Sequence, residues 1–317
     1  MNSILRFFPL GLCLLFSSFA FATPYPLITD TLNHQDRLRS FHLYKPRNYA
    51  QSKPKKPLPT IIALHGGGKR GGKAMGKHLG LNKIAQQQHL MIVYPEGIRS
   101  QWNDGREISY RGKQGIEQVD DVGFLSKLTQ KLISDYGADA NRIYLVGVSN
   151  GGMMSQRMAC EASDQFAAIA SVISSMPQKI YRHCKPKNAP PMLLMNGTAD
   201  PFIPYWGGNV VILGKQAGKV LSTPATLAFW LKQNHINSRP TVRVLADINK
   251  KDHSTVTKKT WFDQQHKERV VLYRINNGGH QWPSSTHRLT LKKLLGFRNQ
   301  DIKGAEVIWD FFKQHVQ

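Results

Sequence analysis

Past the first 22 residues, short apolar runs alternate with segments of helical spacing. Residues 60–64 (Thr-Ile-Ile-Ala-Leu) and 90–94 are apolar almost throughout, the pattern of strands buried on both faces. Residues 122–136 place Phe124, Leu125, Leu128, Leu132 and Ile133 on one helical face. The same reading predicts strands at 143–146, 167–173, 191–195, 241–245 and 270–275, and helices at 152–160, 223–233 and 304–316. Alternation around 38–44 predicts edge strands or a hairpin, and the Lys/Pro-rich run 51–59 a loop. Strand–helix alternation of this kind implies an α/β fold, with a mostly parallel central sheet and helices on both faces. Chemistry in such sheets sits at the carboxyl ends of the strands.

The N-terminus departs from this rhythm. Arg6 precedes an apolar stretch, 7–21, and Ala20-Phe21-Ala22 has the small-x-small form of a cleavage site. We expect a signal peptide over 1–22, removed to leave one domain, 23–317, in the periplasm or outside the cell. The competing expectation is an uncleaved anchor. Cys13 would leave with the signal, and Cys160 and Cys184 would remain. An even pair in an exported chain suggests a disulfide, closing a loop of roughly 24 residues and worth about 3 kcal/mol. Two buried thiols are the alternative.

Charge changes the picture less than its size suggests. The chain of 317 residues carries +23, and Arg6 is the one charged residue before Thr23, which leaves +22 afterwards. Such a surface attracts polyanions without specificity. The basic residues are scattered in short groups, such as Lys53-Pro54-Lys55-Lys56 and Lys292-Lys293, and no nucleic-acid-binding motif surrounds them. No second apolar run is long enough to span a bilayer.

Chemistry enters with Gly147-Val148-Ser149-Asn150-Gly151. It follows a predicted strand and opens a predicted helix, the context in which G-x-S-x-G forms a sharp turn that exposes a nucleophilic serine. Composition alone would produce the pattern in roughly one random chain in ten of this length, so the context carries the argument. A serine needs a base, and the base a carboxylate, in the chain order Ser, Asp or Glu, His. Asp200 and His280 fit that order, each just past a predicted strand. His266 and His287 are weaker rivals for the base, while His34, His89 and His315 read as solvated. Acyl transfer also needs fixed donors for a developing oxyanion. The loop Leu64-His65-Gly66-Gly67-Gly68 supplies one in the Gly67 N–H, and Asn150, after the nucleophile, supplies the other. His65 itself reads as structural.

Other features yield to plainer readings. Gly67 to Lys73 spells G-x-x-x-x-G-K, but Ala74 stands where a phosphate loop needs Ser or Thr for magnesium. Asp120 and Asp121 read as N-caps of the following helix rather than a metal pair. No Cys/His cluster offers a metal site, and no cofactor is implied. Trp102, Trp206 and Trp282 are candidates to floor a substrate pocket, with core packing as the alternative.

Taken in order, several segments resemble the exported α/β-hydrolase esterases that include polyhydroxybutyrate depolymerases, feruloyl esterases and acetyl xylan esterases, the LpqC-like group. The matching stretches are Leu64-His65-Gly66-Gly67, Tyr94-Pro95-Glu96-Gly97, Trp102-Asn103-Asp104, Val119-Asp120-Asp121-Val122-Gly123-Phe124, the run 144–152, the run 196–205 and Gly279-His280-Gln281-Trp282-Pro283. The resemblance implies an α/β-hydrolase fold, a Ser149–Asp200–His280 triad, a Cys160–Cys184 bridge, and hydrolysis of an ester whose identity it leaves open. Many members carry a cysteine where this chain has Gly67. Two rival expectations stand beside it: a serine peptidase on the same fold, and a non-enzymatic polyanion-binding protein that has kept the fold.

Overall fold

The computed structural model describes residues 25–47, 49, 56–68, 70–106, 118–285 and 292–317. The expected signal peptide, Lys53 to Lys55 and His287 lie outside them. The elements run β1 (Ile28–His34), β2 (Arg37–Tyr44), β3 (Leu58–Leu64), α1 (Gly72–Met75), α2 (Leu81–Gln88), β4 (Met91–Pro95), α3 (Asp121–Tyr136), β5 (Ala138–Val148), α4 (Asn150–Glu161), β6 (Ala168–Val172), α5 (Gln178–His183) and β7 (Met192–Gly197). They continue with β8 (Gly208–Ile212), β9 (Lys215–Val220), α6 (Thr223–Gln233), β10 (Thr241–Val244), β11 (Thr255–Phe262), β12 (Glu268–Asn276), α7 (Lys292–Leu295) and α8 (Gly304–Phe312).

Ten strands form one sheet in the order β1-β2-β4-β3-β5-β6-β7-β12-β11-β10. The six from β4 to β12 run parallel, and antiparallel pairs flank them at each edge. The central strands are apolar throughout because both faces are covered. Along β5, Ile143 and Leu145 pack into the core beneath α3, α4 and α6, while Tyr144 and Val146 point to the opposite core beneath α2 and α8. Tyr144 stacks on Phe312 with ring centroids 4.9 Å apart, and its hydroxyl donates to the His315 carbonyl at 2.8 Å. Truncating a leucine in either layer, such as Leu145, would cost about 2–5 kcal/mol. Among the described residues no helix is long and apolar enough to cross a membrane.

Several expectations need correction. The strand β11 and the separate hairpin β8–β9 are additions. Lys258 and Lys259 interrupt the apolar pattern of β11, and the hairpin buries only Val210, Ala217 and Val220 against Met153 and Ile203. Asp120 does cap α3, accepting from the Gly123 N–H at 2.8 Å, but Asp121 is no cap. It is fully buried, paired with Arg39 at 2.7 Å, and accepts the Asn103 N–H at 2.7 Å. Removal from water pushes its carboxyl upward, against the pull of the Arg39 guanidinium. His315 is buried rather than solvated, because the last turn folds it beside Phe311 with ring centroids 4.8 Å apart. His34 pairs with Asp120 at 3.0 Å. The Cys160 and Cys184 sulfurs are joined, with Cα atoms 4.9 Å apart, tying the end of α4 to the residue after α5.

Candidate active site

Strand registry gathers the candidate residues. β3, β5, β7 and β12 end at the same edge of the sheet. Leu64 pairs beside Gly147, and Gly197 beside Ile275. The loops that follow therefore meet above β6.

Ser149 sits at φ 56°, ψ −118°. A non-glycine residue is held there only when its surroundings demand it. The flanking glycines explain how the turn closes. A Cβ on Gly147 would lie 2.0 Å from the Gly151 carbonyl oxygen, and one on Gly151 would lie 2.4 Å from that of Leu64. The turn is locked to β6 by the Ser149 N–H, which donates to the Val172 carbonyl at 2.9 Å.

The Nε2 of His280 lies 2.9 Å from Ser149 Oγ, and its Nδ1 lies 2.7 Å from Asp200 Oδ2. The other Asp200 oxygen accepts the N–H groups of Phe202 and Ile203 at 2.8 and 2.9 Å. A carboxylate only accepts, so this pairing assigns the proton to Nδ1 and leaves Nε2 free to accept from the serine hydroxyl. Close backbone packing explains the glycines before His280: a Cβ on Gly279 would meet the Leu295 carbonyl at 2.0 Å. His266, the described rival, is exposed in the turn between β11 and β12.

Gly66 and Gly67 lie against this turn, and an ideal Cβ on Gly66 would stand 3.4 Å from Ser149 Cβ. Among the described residues nothing accepts the N–H groups of Gly67 or Asn150. The Asn150 side chain is fully engaged. Its Oδ1 accepts the Trp102 N–H at 2.8 Å, and its Nδ2 donates to the Trp102 carbonyl at 3.0 Å and to Asp104 at 2.5 Å. Trp102 also donates its indole N–H to the His65 carbonyl at 2.9 Å. His65 Nδ1 donates to the Gly66 carbonyl at 2.8 Å and Nε2 accepts the Gly97 N–H at 2.9 Å, a fully used neutral imidazole. Burial holds its pKa below the usual histidine value. The Trp102-Asn103-Asp104 run thus braces the N-terminus of α4 and the glycine loop from behind.

A cavity of about 540 Å³ opens beside Ser149 and His280. Its walls include Trp282, Ile173, Phe202, Leu213, Leu294 and Arg70. Of the three tryptophans considered from sequence, only Trp282 lines it. Trp102 is 2% exposed and packs behind the glycine loop, whereas Trp206 is 71% exposed and rests on Tyr205. Position in sequence near the serine was a poor guide here, because loops and turns from distant parts of the chain, such as the β8–β9 turn that carries Leu213, set what reaches the cavity. Phe202, Leu213, Leu294 and Arg70 were missed for the same reason. Asn196, formally a glycosylation acceptor, is buried and donates to Ser174 and Thr223. Among the described residues no group of three potential metal ligands occurs.

Residues 47–223 match the phospholipase/carboxylesterase family. The chain is 28% identical to the putative esterase NocK of Nocardia uniformis subsp. tsuyamanensis over 80% of its own length and 73% of NocK. It is 29% identical to feruloyl esterase B of Piromyces equi over 45% of its own length, but spans only 32% of that relative. Among solved structures, the acetyl xylan esterase from Aspergillus awamori superposes with a TM-score of 0.59 at 13% identity, over 90% of this chain and 99% of that one. A thermostable esterase superposes at 0.56 and 15% identity, over 92% of this chain and 63% of that one. These likenesses show an α/β-hydrolase fold. Fold and relatives together define a hydrolase of carboxylic esters. The chain belongs to the phospholipase/carboxylesterase family.

Proposed function

We propose that the protein is an exported serine esterase that works through an acyl-enzyme on Ser149. The observation that carries this reading is the unbroken relay from Asp200 through His280 to Ser149, at 2.7 and 2.9 Å. His280 Nε2 takes the hydroxyl proton as Ser149 Oγ attacks the ester carbonyl. The carbonyl oxygen becomes an oxyanion held by the Gly67 and Asn150 N–H groups. As the C–O bond breaks, His280 returns the proton to the departing alcohol. Water then enters, gives a proton to His280, and releases the acid while Ser149 recovers its hydrogen. Asp200 keeps the imidazole in the required tautomer and stabilises the imidazolium.

Feruloyl esters, acetyl esters of xylan and hydroxybutyrate-type oligoesters are the candidate substrates. The first two are named by relatives of this chain, and the apolar walls of the cavity suit an acyl chain or an aromatic acid. The leader ending at Ala22 and the joined Cys160–Cys184 pair support export of a single domain, 23–317. The test is Ser149→Ala assayed on 4-nitrophenyl butyrate. We expect kcat to fall by about 10³-fold or more with the fold intact. Activity within tenfold of the parent enzyme would overturn the assignment.

A further inference from the structure

The cavity beside Ser149 is lined mostly by apolar side chains and by one guanidinium. Ile173, Phe202, Leu213 and Leu294 make one wall apolar. The segment after β3 adds Ala74, Met75 and Leu79 to the lining, and brings Arg70 and His78 to the cavity with exposed Lys73 and Lys77 near them in sequence. No carboxylate belongs to the described lining. Glu96 lies beneath this segment but is turned inward. It accepts the Lys73 N–H at 3.0 Å, meets His42 at 3.1 Å, and packs so tightly that a Cβ on Gly71 would strike it. Arg70 is exposed, and among the described residues no carboxylate pairs with it.

A guanidinium among apolar side chains is suited to receive an anion, because the low-dielectric side concentrates its field. Its planar fork matches a carboxylate in two parallel hydrogen bonds. The surplus of +23 over the whole chain adds long-range attraction of the same sign. We infer that the ester cleaved at Ser149 carries an anionic group, such as a carboxylate, and that Arg70 binds it at the edge of the same cavity. This rests on the esterase reading above and adds a substrate class to it: amphiphilic esters with one apolar and one anionic end.

The test uses matched substrate pairs. Mono-4-nitrophenyl adipate against 4-nitrophenyl hexanoate places the charge on the acyl side. 4-(Hexanoyloxy)benzoate against its methyl ester places it on the alcohol side. In at least one pair the parent enzyme should favour the anionic member in kcat/KM by about tenfold at low salt. That preference should shrink at about 0.5 M salt, where screening acts within a few ångströms. Arg70→Gln should lower the anionic-to-neutral ratio about tenfold, mainly through KM, and Arg70→Lys should restore part of it. Ratios at or below one in both pairs, unmoved by Arg70→Gln, would overturn the inference while leaving the esterase reading intact. Failure to cleave any of the four would instead overturn the assignment of Ser149, and this inference with it.

Discussion

Asp200 holds His280 with one oxygen, at 2.7 Å, and anchors its own loop with the other, through the N–H groups of Phe202 and Ile203. The carboxylate is thus oriented before it meets the imidazole. Asp200→Asn keeps the shape but can offer an amide donor where Nδ1–H also donates. The imidazole would then turn to the wrong tautomer or lose its partner. We expect kcat on 4-nitrophenyl butyrate to fall about 10³–10⁴-fold with KM little changed. A loss below tenfold would mean that another group orients the base.

In the proposed mechanism Asn150 acts through its backbone N–H, while its side chain is what the surrounding loop grips. Asn150→Ala would strand the Trp102 N–H and remove the amide that faces buried Asp104. Leaving such groups unpaired costs about 1–3 kcal/mol in stability. The first turn of α4 would also loosen, and the Asn150 N–H with it. We expect kcat/KM to drop about 10–100-fold, less than the roughly 10²–10³-fold cost of losing an oxyanion donor outright, because the backbone N–H remains. Urea unfolding and steady-state kinetics would measure the two effects separately. Parent-like values in both would show that the bracing has no energetic role.

Burial, assisted by the positive field of Arg269, lowers the pKa of His315 to about 4. In the unfolded chain the same group titrates near its ordinary value of 6.5. Above pH 6.5 it is neutral in both states, and its cost is absent. As pH falls from 6.5 toward 4 the unfolded chain takes up the proton first, so stability is lost across that window. The loss is about 3 kcal/mol, and it levels off once the folded state also protonates. His315→Leu should flatten this part of the stability–pH curve measured by urea unfolding. An unchanged acid slope would show that other groups account for it.

The central strands and the relay were legible in the sequence because their physics is local. Burial on both faces writes itself as Ile61-Ile62-Ala63-Leu64, and the turn at Ser149 needs glycines at 147 and 151 that no other residue replaces. Asp200 and His280 could be placed by chain order because loops after parallel strands share one edge. What stayed hidden depends on contacts between distant segments. Asp121 looked like a cap since nothing in its neighbourhood announces Arg39, 82 residues away. Lys258 and Lys259 disguised β11, where Lys258 pairs with Glu268 across the hairpin. Trp102 and Trp206 are both aromatic neighbours of motif residues, yet packing buries one behind the glycine loop and leaves the other in solvent. The cavity wall itself comes from Phe202, Leu213 and Leu294, which no local pattern marks.

The most direct test is to treat the purified protein with a fluorophosphonate and locate the adduct by peptide mass spectrometry. An activated serine attacks phosphorus and becomes permanently modified; an ordinary one does not. One adduct is expected, on Ser149, with loss of ester hydrolysis in proportion to labelling and no adduct in either Ser149→Ala or His280→Ala. A protein that hydrolyses esters but labels elsewhere, or labels at Ser149 just as fast without His280, would contradict the assignment of Ser149 and His280.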